Sequence, residues 1–115
     1  MRREERSKTI TFPVFSDYSV EIVVAKDVIK ARHKRDSIYG IFEGNFHALH
    51  SHNRLGKSLI VFPDNYKGIS DIAHECCHAV QALMEWTSIN DTECMAYIFG
   101  YLTQVVYDFV RVKNK

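Results

Sequence analysis

The last third of the chain constrains the fold most. From Ser70 to about Trp86, apolar residues recur at helical spacing. At about 100° per residue, Ile72, Cys76, Ala79, Val80, Leu83 and Trp86 gather on one side, and His74, His78, Gln81 and Glu85 on the other. The stretch "TSIN" interrupts the pattern, and a second helix is expected to start in "NDTE" and run to about Val110. Its apolar face is Ile98, Leu102, Val105, Val106 and Phe109, while Glu93, Tyr97, Gly100, Gln104 and Asp108 form another stripe. A tight turn folds the second helix back beside the first, and each keeps its polar chemistry away from its core side. Ser70 is expected to cap the first helix, and a capping-box-like pair of Asn90 with Glu93 at the start of the second is the local alternative to a ligand role for Glu93.

Upstream, the patterning changes period. "YSVEIVVA" (18 to 25) is rich in β-branched residues and predicts a strand, and "KDVIKARHKR" (26 to 35) predicts a short helix. "SIYGIFEGNFHALH" (37 to 50) reads as a twisted or bulged strand with its glycines at the irregular points. "KSLIVFP" (57 to 63) is a compact buried-type strand that ends at a proline. The opening "MRREERSK" mixes both charges and is expected to be a solvated, flexible end over residues 1 to 8.

With 115 residues, 46% hydrophobic and 25% charged, the chain fits a single globular domain of class α+β spanning residues 1 to 115. A net charge of +1 gives no general attraction to nucleic acid or to acidic membranes, and no apolar run approaches the roughly 20 residues of a membrane helix. Three cysteines, Cys76, Cys77 and Cys94, with two adjacent, are no disulfide framework. Together with the missing apolar stretch of a secretory signal, they lead us to expect a cytoplasmic protein.

The polar face of the first long helix carries "HECCH" (74 to 78). Residues four apart on a helix are neighbours, so His74 and His78 can aim two imidazoles at one point. Zinc takes nitrogen ligands at about 2.0–2.1 Å, and a catalytic zinc typically has three protein ligands and an open position. Glu75, one residue further round, is placed to act as a general base beside that position. The bland alternative is a solvated helix face with two incidental histidines. A tight turn would bring the second helix back beside the first. Glu93 is the leading third ligand because it shares its stripe with Tyr97 and Gly100, a polar line through an otherwise apolar helix; Asp91 competes.

The segment "HECCH" followed by "ECMAYIFGYL" resembles the zincin metallopeptidases of gluzincin type, and in particular small phage-encoded and ImmA/IrrE-like peptidases. The match covers about 40 residues, from Ser70 to Val110. The resemblance implies a compact zincin-like domain, with a small twisted sheet packed on the HExxH helix and a following helix that carries the third ligand. It implies Zn²⁺ held by His74, His78 and Glu93, with Glu75 as general base. It implies further a protein or peptide substrate, extended along an exposed sheet edge between Ile38 and Leu49 or between Leu59 and Phe62. The setting it implies is the cytoplasm of a bacterial cell or a phage-infected host. Two departures stand out: the chain lacks the large C-terminal subdomain of big gluzincins, and no separate histidine that stabilises the transition state is identifiable. The other reading is a non-catalytic zincin scaffold that binds a regulatory partner and holds a structural metal.

Weaker signals remain. Tyr97, one turn after Glu93, is a candidate for the oxyanion or for core packing. Asp71, one turn before His74, is a candidate partner of a ligand imidazole and also an ordinary acidic residue in a first helical turn, two readings that are compatible. His47, His50 and His52 in "NFHALHSH" are expected as surface histidines near a turn, since strand alternation puts His47 opposite the other two. Cys76 is expected in the core and Cys77 at the border of the polar face.

Overall fold

The computed structural model describes residues 5–12, 15, 17–40, 49–53, 55–64 and 68–111. Four strands and four helices follow in the order β1 (Glu5–Thr11), β2 (Ser19–Ala25), α1 (Val28–His33), α2 (Asp36–Tyr39), β3 (Leu49–His52), β4 (Lys57–Pro63), α3 (Ile69–Thr87) and α4 (Thr92–Arg111). The strands form one mixed sheet in the order β1-β2-β4-β3, with β2 and β4 parallel at its centre and antiparallel strands at both edges. The class is α+β. No helix among the described residues is long and apolar enough to cross a membrane.

The central pair explains the unbroken apolar runs of "VEIVVA" and "SLIVF", because both faces of these strands are covered. Val20, Ile22, Val24, Ile60 and Phe62 face α3 and α4, where they meet Ile72, Cys76, Ala79, Val80, Leu83, Ile98, Leu102 and Val106. Val23, Ala25, Leu59 and Val61 face the other way, onto Val28 and Ala31 of α1. Helix α1 starts where Asp27 accepts a hydrogen bond from the Lys30 amide at 3.0 Å.

Several expectations are corrected. Residues 5 to 8, expected at a flexible end, belong to β1, which pairs with β2 from Glu5↔Ala25 to Thr11↔Ser19. The charges there sit on an edge strand: Glu5 meets Arg35 at 3.3 Å, and Arg6 donates to the Phe109 carbonyl of α4 at 3.0 Å. The strand expected over 37 to 50 is divided: 36–39 turn into α2, 49–52 form β3, and 41–48 lie outside the described residues. Local bonds from the Ile38 and Tyr39 amides to the Arg35 carbonyl win over strand pairing. Gly68, not Ser70, is the N-cap of α3. The cap of α4 is Asp91, whose carboxylate accepts from the Glu93 and Cys94 amides at 2.9 and 3.2 Å, in place of an Asn90–Glu93 pair.

One glycine fixes how α3 lies on the sheet. Gly56, just before β4, has φ +78°, and a Cβ there would sit 2.6 Å from the Asp17 carbonyl and 3.1 Å from the Trp86 ring. With hydrogen alone at that point, Trp86 near the C-terminus of α3 packs against Tyr18, ring centroids 5.6 Å apart.

Candidate metal centre

Helix α3 is rotated by its own apolar stripe. With Ile72, Cys76, Ala79, Val80 and Leu83 buried, His74 and His78 are left on the open side. The two imidazoles meet edge to face, with centroids 4.8 Å apart and an interplanar angle of 79°. Their Nε2 atoms converge to 3.2 Å. Two nitrogens bound at 2.0–2.1 Å to one tetrahedral ion are about 3.3–3.4 Å apart, so the pair fits zinc with almost no movement. The same spacing suits one shared N–H, a bond that a metal would replace.

Glu75 is buried, at 8% exposure. Burial pushes its carboxyl above the usual range; the neighbouring His74 and His78 pull the other way, and Asp71 adds a smaller push upward. A carboxyl whose proton affinity is raised in this manner, beside two imidazoles, is placed to take a proton from a water held there. Asp71 itself is exposed in the first turn of α3, and among the described residues no hydrogen bond joins it to either imidazole.

The third expected ligand is not brought to the pair. Cys76 lies against Thr103, so the antiparallel α4 sets Glu93 level with Trp86, eight residues beyond His78. At about 1.5 Å per residue that is about 12 Å along the axis. Glu93 and Asp91 instead line an apolar recess of about 510 Å³ with Phe12, Phe15, Cys94, Tyr97, Ile98 and Tyr101. Tyr97 is 80% exposed at that recess, neither packed in the core nor directed at the imidazoles. Among the described residues no group of three His, Cys, Asp or Glu side chains is placed to hold one metal ion.

Strand β3 brings a residue whose part in the site sequence reasoning missed. His50 and His52 point to the same face of β3, and His47 lies outside the described residues. The His50 ring runs parallel to that of His78, with centroids 6.1 Å apart and an angle of 9°, and it also stacks on His52 at 5.6 Å. Its Nε2 is 3.0 Å from the Ser58 hydroxyl, which is itself bonded to the Tyr18 hydroxyl. Burial, then the neighbouring His52 and His78, lowers the His50 pKa to about 3 and keeps the ring neutral. The available signal was the i, i+2 spacing of His50 and His52 on a strand. What it touches depends on which strand lies at the sheet edge beside α3, a long-range fact.

Cys76 is buried and its thiol is pushed up to about 12 by burial, whereas Cys77 is exposed; all three cysteines are free. Comparison with family models, curated proteins and solved structures gives no significant match, so the reading of this site rests on its own residues.

Proposed function

We propose that this chain is a zinc-dependent peptidase of zincin type, with His74 and His78 holding the metal and Glu75 as general base. The observation that carries the reading is the 3.2 Å convergence of two exposed imidazoles one helical turn apart, with a buried carboxyl next to the first. Zinc held there would supply Lewis-acid polarisation of a carbonyl and a lowered pKa for water. The residues do the rest. Glu75 accepts a proton from the attacking water and returns it to the leaving amine, helped by a carboxyl whose proton affinity burial has raised.

The substrate edge in this reading is β3. The alternative span, Leu59 to Phe62, lies inside β4, which is paired on both sides and has no free edge. β3 pairs with β4 and stands beside α3, so a peptide extended along it would pass the two imidazoles. Free Cys76, Cys77 and Cys94 support a reducing, cytoplasmic setting. Glu93 serves as third donor only if the first turn of α4 closes onto His78. That gap favours one rival, a zincin scaffold that binds a partner without cleaving it.

The test is proteolysis of an unfolded substrate, fluorescein-labelled casein, by zinc-loaded protein. Wild type should release labelled peptides, and Glu75→Gln should lose the activity by about 10²-fold or more while keeping its zinc. Equal traces from both proteins, together with no new protein termini in bacteria that express wild type, would hand the reading to the binding scaffold.

A further inference from the structure

The hydrogen-bond chain behind His50 fixes its tautomer. Tyr18 is 1% exposed, and among the described residues its phenol has one side-chain partner, the Ser58 hydroxyl. Ser58 is 0% exposed, and its hydroxyl meets Tyr18 and the His50 Nε2. A buried hydroxyl proton without an acceptor is costly. Only one arrangement gives every proton an acceptor: Tyr18 donates to Ser58, and Ser58 donates to the His50 Nε2. The reverse direction strands the phenol proton in the core. With Nε2 accepting, the proton of the neutral ring sits on Nδ1. Neither nitrogen is then free to bind a metal, one being occupied by Ser58 and the other protonated.

We infer that His50 is a fixed Nδ1–H donor, and that this N–H is the hydrogen bond the site offers to the carbonyl oxygen of a peptide bound across His74 and His78. The inference rests on the metal reading above and adds a residue to it. Three placements carry it. Ser58 takes the Nε2, which leaves Nδ1 as the ring nitrogen without a hydrogen-bond partner among the described residues. The ring stands parallel to His78 at 6.1 Å, beside the ligand pair. His50 belongs to the edge strand along which an extended peptide would add, so donor and substrate backbone share one rim. A donor held by a buried relay is already oriented before charge develops on the oxygen, and removal of such a donor typically costs 10²–10³ in rate.

The test does not need the natural substrate. In metal-free protein, long-range ¹H–¹⁵N correlation should show His50 with a protonated Nδ1 and an unprotonated Nε2 at pH 7, and Ser58→Ala should abolish that preference. A protonated Nε2 in wild type overturns the inference. In cobalt-loaded protein, acetohydroxamate supplies a carbonyl-type oxygen as probe. His50→Gln keeps an acceptor for Ser58 and loses the Nδ1 donor, so acetohydroxamate should bind about five- to tenfold more weakly, with cobalt affinity within about twofold of wild type. His50→Asn puts an amide N–H near the Nδ1 position and should restore most of the loss. Unchanged acetohydroxamate affinity in His50→Gln, with cobalt held normally, overturns this inference alone. A collapse of cobalt affinity in His50→Gln makes His50 a ligand and also overturns it. If wild type takes up no cobalt, the metal reading fails and this inference fails with it.

Discussion

Acid should destabilise the metal-free protein through His50, and His50→Gln should remove most of that effect. The folded pKa is about 3, against about 6.5 for an unperturbed histidine. A group whose folded pKa is depressed contributes stability that is complete above its unfolded pKa and is lost as pH falls towards the folded value. The window therefore opens near pH 6.5 and extends down to about pH 3. At pH 5 the unfolded state binds nearly one proton that the folded state does not, over about 1.5 pH units, a loss of about 2 kcal/mol relative to pH 7.5. Urea unfolding with chelator present, at pH 7.5 and pH 5, reads this directly. For wild type the midpoint should drop by roughly 1 M, taking about 1–3 kcal/mol per molar for the slope. His50→Gln should show about 2 kcal/mol less dependence on pH, since it cannot take up that proton. If wild type and His50→Gln lose the same stability between the two pH values, His50 is not a buried neutral imidazole.

Two further outcomes follow from the geometry. Glu93→Gln should leave zinc affinity within about twofold in a dye-competition titration, because about 12 Å along α4 separates Glu93 from the pair; a fall of a hundredfold would mean that the first turn of α4 closes onto His78. Gly56→Ala should lower stability by about 2–4 kcal/mol in thermal melts, from a positive φ and a Cβ forced against the Asp17 carbonyl and Trp86; a change below about 0.5 kcal/mol would contradict the close approach.

Much of this was legible because the signals are local. The apolar stripe of α3 fixes its rotation, so Ile72, Cys76, Val80 and Leu83 are buried and His74 and His78 exposed, as their spacing dictates. The β-branched runs of β2 and β4 were equally clear. What the sequence hid depends on partners far along the chain. β1 looks like a charged tail until the apolar β2 is placed beside it and Arg35 reaches Glu5. The level of Glu93 on α4 depends on where Cys76 meets Thr103, which no spacing rule contains. His50 joins the site only because the strand order puts β3 on the edge next to α3, and its tautomer depends on Tyr18, 40 residues from Ser58.

The most direct measurement is the metal content of protein purified without chelator, taken together with the two histidine variants. Wild type should carry about one zinc per chain, since there is one convergent imidazole pair, while His74→Ala and His78→Ala should each carry less than about a tenth of that with helix content unchanged. Zinc retained at the wild-type level by both variants, or no zinc in wild type even after loading, would contradict the account.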